Sequence, residues 1–186
     1  MFEETFPIHR FLRKGESDFL SRKPKGRKHA MRPRILIFED NQILREMFWL
    51  FLDKKGCEVF AFFKPKAFNC HLNRECMCPQ NETCADIIIS DYSMPETTGT
   101  ELIQELLRKR CKIKHYAILS GTWSTMQRQD AKALRCKLFW KPIPLGDISA
   151  WMDTCVRQLD PNRTLYDPFF IEPSRTTPGK PGKLKI

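Results

Sequence analysis

No stretch of the sequence is apolar for long enough to cross a bilayer. The longest uninterrupted apolar run, Met47 to Leu52, is six residues, where a membrane helix needs about 20. The first residues, MFEETFPIHRFLRKG, open with acids and lack the apolar core of a secretory signal. Export is therefore not expected, and the location that follows is cytoplasmic. In that compartment the eight cysteines read as reduced thiols or metal ligands, not as a disulfide framework. Internal repeats are absent. No segment after residue 160 has the length or pattern of a helix-turn-helix or a catalytic output domain. The zinc-module pairing Cys-x-x-Cys is also missing.

What the sequence does have, at first sight, is charge. Its 32 Lys+Arg against 22 Asp+Glu give a formal +10, which invites a nucleic-acid reading. The excess is unevenly placed, however. Residues 1–34 carry +6, residues 161–186 carry +3, and the 126 residues between them only +1. Charge runs of this kind are usually solvated tails, and no interleaved aromatic platform accompanies them. Nucleic-acid binding is accordingly disfavoured. The division predicted is a basic N-terminal extension over 1–32, one domain over 33–160, and a proline-rich basic tail over 161–186. Met31, just before the first strand signal, is a candidate translation start.

Within the domain, buried-strand and helix patterns alternate. Arg34-Ile35-Leu36-Ile37-Phe38 is an apolar run that stops at two acids, as a buried parallel strand does. Ile43, Leu44, Met47, Leu50 and Phe51 recur at helical spacing, predicting a helix over about 42–54 that Gly56 closes. Strands are predicted at 57–62, 86–90, 116–119 and 137–140. Helices are predicted after Gly99, over about 124–135, and through Leu145, Ile148, Met152, Val156 and Leu159. Five strand–helix units in series imply an α/β fold: a doubly wound, five-stranded open parallel sheet with helices on both faces.

Ligands of such sheets bind beyond the carboxyl ends of the strands, near the topological switch point. The residues predicted there are Glu39 and Asp40, Asp91, Ser120 and Lys141. Three converging carboxylates repel one another unless a divalent cation or a lysine intervenes. All-oxygen ligands favour Mg²⁺, which accepts one or two carboxylates, waters and a phosphoryl oxygen. Lys141 and Ser120 could hold the remaining phosphoryl oxygens.

Four segments carry a resemblance: Phe38-Glu39-Asp40-Asn41, Asp91-Tyr92-Ser93-Met94-Pro95-Glu96-Thr97-Thr98-Gly99, Leu119-Ser120-Gly121, and Lys141-Pro142. Together, in this order and each at its strand end, they resemble the receiver domain of two-component response regulators, of the single-domain, chemotaxis-regulator-like kind. The resemblance covers about residues 33–159, and Asp-x-x-Met-Pro-x-x-x-Gly is its most specific part. It implies a flavodoxin-like receiver fold in which Asp91 accepts a phosphoryl group from a sensor histidine kinase or phosphotransfer protein, by nucleophilic attack of its carboxylate.

On the same resemblance Asp40, Asp91 and the backbone carbonyl of Ser93 would ligate Mg²⁺, with Glu39 acting through water. Lys141 would pair with a phosphoryl oxygen, and Lys141–Pro142 would be a cis bond. Ser120 would move to hydrogen-bond the phosphoryl group. Asn41 is read as the start of the first helix, and Met94, Pro95 and Gly99 as shaping the loop. Leu138 stands where the family commonly has an aromatic that moves with the hydroxyl. Signalling would pass by contact to a downstream protein target. The only chemistry expected is self-phosphorylation and autodephosphorylation at Asp91.

Residues 64–85 interrupt the rhythm where the family has its second helix. Four cysteines fall there, Cys70, Cys76, Cys78 and Cys84, with His71 beside the first. They could close a Zn²⁺ site that orders a loop without its own core, hold an iron–sulfur centre, form a redox-switched disulfide, or remain free thiols. Cys57, Cys111, Cys136 and Cys155 are read as small core residues. The alternative to a phosphoacceptor is a non-phosphorylated interaction module whose insert senses metal or redox state.

Overall fold

The computed structural model describes residues 32–68 and 75–166. The N-terminal extension with Met31, the tail from 167 onward, and 69–74 with Cys70 and His71 lie outside the described residues.

Nine main elements follow in order: β1 (Arg34–Phe38), α1 (Gln42–Lys54), β2 (Glu58–Phe62), β3 (Ile87–Asp91), α2 (Gly99–Arg108), β4 (His115–Ser120), α3 (Thr125–Ala133), β5 (Lys137–Trp140) and α4 (Leu145–Arg157). The five strands make one parallel sheet in the order β2-β1-β3-β4-β5. The chain steps outward from β1 to β2 and then returns across it to β3. The strand order thus reverses between β1 and β3, and their carboxyl ends frame the crevice where such sheets bind ligands.

Burial follows from that order. β1 and β3 are central and buried along their whole length, whereas β2 and β5 are edge strands and only partly covered. Alternate residues of each strand feed two cores. Ile35, Ile37, Ile87, Ile89 and Leu119 meet Phe48, Leu52, Ile148 and Met152 of α1 and α4 on one face. Leu36, Phe38, Ile88 and Ile118 meet Leu102, Ile103, Leu106 and Ala131 of α2 and α3 on the other. Helices on both faces are what the strand patterns predicted.

The face of α1 differs from the expectation. Phe48 and Leu52 are its buried residues, Leu44 and Phe51 pack against them, and Ile43, Met47 and Leu50 are exposed. The helix reads QILREMFWLFLDK and is apolar over most of its circumference. Its period therefore identifies a helix without choosing which stripe faces the sheet. Asn41 caps it, accepting the Leu44 N–H at 3.1 Å.

Between β2 and β3 the described residues hold only a 3-10 turn, Pro65–Ala67, and the two-residue strand Glu82–Thr83. The segment is fastened at several points. Phe68 is fully buried against Phe38 and Phe62, and the Cys76 N–H donates to the Lys109 carbonyl at 3.1 Å. Glu82–Thr83 pairs in parallel with Thr164–Leu165. Arg163 forks onto both oxygens of Asp86, while the Tyr166 carbonyl accepts from Arg34 at 2.8 Å. Residues 163–166 are thus laid against the domain beyond α4. No helix of the described residues is long and apolar enough to cross a membrane.

Candidate functional site

The candidate site is assembled by what happens immediately after each strand. β1 ends at Phe38, and Glu39 follows with its N–H donated to the Phe62 carbonyl of β2 at 3.1 Å. That bond continues the ladder one residue and turns the Glu39 side chain inward, where it is 1% exposed. Asp40 next to it is exposed. Arg45, in the first turn of α1, donates to the carbonyls of Glu39 at 2.7 Å and Asp40 at 3.1 Å. It fixes the backbone that carries both acids.

Asp91 is the last residue of β3 and is buried. Its Oδ1 accepts the Tyr92 N–H at 2.8 Å. Beyond β5, the Lys141 N–H donates to the Ser120 carbonyl at 2.7 Å, and the Lys141–Pro142 bond is cis. From there the Lys141 ammonium reaches Glu39 Oε2 at 2.7 Å and Asp91 Oδ1 at 3.0 Å.

One atom from each of Glu39, Asp40 and Asp91 lies within 4.8 Å of the others. Among the described residues this is the one group of three or more potential metal ligands so closely drawn. Burial is the largest influence on Glu39 and raises its pKa above the ordinary 4.5; the Lys141 bond opposes the rise and the Asp91 charge adds to it. Burial pulls the Lys141 ammonium down, but the hydrogen bonds and charges of Glu39 and Asp91 outweigh it and hold the group above its usual 10.5. The donor set fits Mg²⁺: it is all oxygen, partly open through Asp40, and left two negative charges short of neutrality by Lys141.

Gly99 is required by proximity. A methyl group there would overlap the Asp91 carbonyl oxygen and press on the Ser90 hydroxyl. The loop that makes this approach pairs Ser93–Met94 with Thr97–Thr98 and turns at Glu96, whose φ is 73°. Thr98 then caps α2 in a capping box with Glu101. Ser93 is exposed, two residues beyond Asp91.

Ser120 ends β4 beside the site, with its hydroxyl engaged locally: it donates to the Thr122 carbonyl and accepts the Thr122 N–H at 3.2 Å. Leu138 is half-buried against the α2–α3 core. The nearby aromatics form a packed series, Tyr92 on Trp123 at 5.5 Å and Trp123 on Trp140 at 6.1 Å. The Trp123 indole donates to the Phe139 carbonyl. A concavity of 740 Å³ lies away from the acids, between β5 and α4, with Trp140 and Trp151 in its wall.

The cysteines predicted as a second metal site divide. Cys70 lies outside the described residues, Cys78 and Cys84 are buried, and Cys76 is half-buried. Their near neighbour is Cys111, which the sequence pattern assigned to ordinary core. Arg45 is the other residue that pattern missed. A base one turn into a helix, where an acid suits the dipole, is the signal that was available.

Comparison with known proteins agrees with this geometry. The response regulator receiver domain family matches residues 35–148. Similar solved structures include the chemotaxis response regulator CheY4 of Vibrio cholerae, with TM-score 0.54 and 21% identity over 67% of this chain and 99% of that one. The Francisella response regulator 1452 receiver domain gives 0.56 and 17% over 68% and 98%. A response regulator receiver protein from Pseudomonas putida gives 0.55 and 22% over 67% and 98%. At these identities the structural likenesses show the fold alone. No curated protein matches. With the family match spanning more than half of the chain, and its acids gathered at the switch point, the chain belongs to the response regulator receiver domain family of two-component systems.

Proposed function

We propose that this receiver is a phosphoacceptor, phosphorylated on Asp91 by a histidine kinase or phosphotransfer protein, acting in the cytoplasm and signalling by contact with a protein target. The observation that carries the reading is the Lys141 ammonium bridging Glu39 and Asp91, beside a third acid, at the switch point of the sheet. An acid cluster of this kind, with its own cation and one exposed member, is suited to a doubly charged ion and a phosphoryl group together.

Asp91 Oδ1 holds two donors, while Oδ2 receives none among the described residues. Oδ2 is then the oxygen that attacks phosphorus. A new O–P bond forms as the N–P bond of a phosphohistidine breaks, and the imidazole leaves with its electron pair and takes up a proton. Asp40 and Asp91, with the Ser93 carbonyl, would hold Mg²⁺, and Glu39 would reach it through water. When bound, Mg²⁺ supplies charge neutralisation for the transferring phosphoryl group. Lys141 would shift from bridging the acids to pairing with a phosphoryl oxygen. Ser120 would give up Thr122 to donate its hydroxyl to another, so its release couples phosphorylation to the loop after β4. That loop leads into α3 and the Trp123–Trp140 contact, a route to the surface.

Incubation of the full chain with acetyl phosphate and Mg²⁺, followed by intact-mass measurement, tests the proposal. One phosphoryl group is expected on the wild type and none on Asp91→Asn. An unlabelled wild type, or equal labelling of the variant, would reject it.

A further inference from the structure

The corner between the insert and α2 collects thiols that the phosphoacceptor site does not use. Three separate stretches meet there. The first, residues 75–79, is pinned by the Cys76 N–H on the Lys109 carbonyl at 3.1 Å and by the Lys112 ammonium on the Cys78 carbonyl at 3.1 Å. The second leads into β3 and carries Cys84, which is fully buried. The third follows α2 and carries Cys111, whose N–H closes on the Leu106 carbonyl at 2.9 Å. Lys109 and Lys112, which grip the insert, flank Cys111 in sequence. The contacts therefore deliver Cys76 and Cys78 to the loop that holds Cys111.

We propose that Cys76, Cys78, Cys84 and Cys111 form a tetrathiolate site for a structural zinc ion, with Cys111 the ligand that ties the insert to the domain. The chemical class is four sulfurs, a set that selects Zn²⁺ in a closed tetrahedral site. This inference is independent of phosphoryl transfer.

Four observations support it. Met77 is 42% exposed while Cys78 is buried and Cys76 half-buried, so the backbone alternates outward and inward. Two thiols separated by one residue can then face the same ion. The chain between β2 and β3 runs from Phe63 to Asp86, long for a connection whose described residues hold so little secondary structure, and such segments need a staple. Lys112, donating to the Cys78 and Pro79 carbonyls, places a positive charge beside a centre that would carry two negative ones.

The thiols also differ in character. Burial pushes Cys57 and Cys155 up to about 11 and Cys136 up to about 12. Cys111 differs from these in having Cys84 hydrogen-bonded to its sulfur, so these two thiols are already in contact. Cys76 and Cys78 form a second hydrogen-bonded pair. The proposal requires the two pairs to close on one ion by side-chain rotation, since among the described residues only the three acids lie mutually within 4.8 Å.

Elemental analysis of the full chain, purified under reducing conditions without added metal, is expected to give one zinc per chain. In competition with a chromogenic chelator, Cys111→Ser and Cys84→Ser should each weaken zinc retention more than about tenfold, and Cys155→Ser should leave it unchanged. Should the variants fail to fold, the wild type loaded with Co²⁺ still reports on the site through the intense visible bands of a tetrahedral cobalt thiolate. Absence of stoichiometric zinc, iron in its place, a cobalt spectrum without those bands, or a Cys84–Cys111 disulfide in the isolated protein would each overturn the proposal. So would zinc that survives Cys111→Ser but is lost in Cys70→Ser, which moves the fourth ligand to Cys70.

Discussion

Two aspartates are buried at opposite ends of one short stretch of chain, Asp86 just before β3 and Asp91 as its last residue. Their surroundings assign them opposite uses. Asp86 has both oxygens occupied: the Arg163 guanidinium forks onto them, and the Arg34 N–H donates to Oδ2 at 2.7 Å. Asp91 has one oxygen held by Lys141 and Tyr92, and the other receives no donor from the described residues. A carboxylate whose oxygens are all committed serves the fold. One held by a single oxygen is positioned and still able to react. Burial alone does not separate the two; the count of donors does.

The largest stability effect is expected at the committed acid. Arg163→Ala leaves Asp86, which is 2% exposed, with its backbone donor from Arg34 but without the guanidinium that forks onto it. Breaking a buried pair from one side costs about 3 kcal/mol or more. Urea unfolding should show that loss, while labelling of Asp91 by acetyl phosphate in the folded variant stays near wild type. If labelling collapses with an intact fold, the two ends of β3 are not separable as described.

Lys141→Met tests the reactive end. It removes the ammonium that bridges Glu39 and Asp91, and losing hydrogen bonds to charged groups costs about 2 kcal/mol. Here, in contrast to Arg163→Ala, Mg²⁺ should restore much of the lost stability, because an added dication replaces a missing one-charge partner among three acids. Labelling should fall sharply even with Mg²⁺ present. Unfolding midpoints with and without Mg²⁺ separate the two cases, and equal Mg²⁺ effects in both variants would break the comparison.

Gly99→Ala acts on the same end by steric means. The added methyl overlaps the Asp91 carbonyl oxygen, and relieving it requires the strand end or α2 to shift. Overpacking of this kind costs about 1–2 kcal/mol. The labelling rate should drop more than the stability suggests, since the shift carries the attacking oxygen with it. A variant that labels at the wild-type rate would show that the loop gives way instead of Asp91.

These contrasts also explain what could be read from the amino acids in advance. The sheet was legible because β1, β3 and β4 are continuous apolar runs ending at polar residues, and each ending is a point where the chain leaves the core. Glu39, Asp40, Asp91 and Lys141 were legible for a like reason, standing at or just past the carboxyl ends of β1, β3 and β5. The α1 face was not, because Ile43, Met47 and Leu50 are as apolar as the residues that win the core. Cys111 and Arg163 were hidden by distance. Each acts on residues about 27 and 77 positions away, and neither periodicity nor local spacing carries information over that separation. The aromatics of the tail expected to begin at 161, Tyr166 first among them, could be read as a short tether folding back onto the domain, as Tyr166 does at Arg34, but nothing in the sequence pointed to Arg163 on Asp86.

The smallest effect distinguishes the ends by their response to protons. Glu39 has its pKa raised above 4.5, by burial first, with the Asp91 charge adding and Lys141 opposing. For a carboxyl raised in the folded state, the unfolded chain releases its proton at lower pH than the native one does. Stability in the absence of Mg²⁺ therefore falls as pH rises from about the ordinary value through the raised one, and stays lower above it. Glu39→Gln should flatten that decline. Lys141 titrates far above this window, so its contribution is constant across it. Mg²⁺ must displace the same proton, so its affinity should rise over the pH range in which Mg²⁺-free stability falls. Tryptophan-monitored Mg²⁺ titrations at stepped pH measure this directly. A wild-type affinity that stays flat through the window, with Glu39→Gln indistinguishable from it, would mean that Glu39 is a partner of Lys141 alone and takes no part in holding the metal.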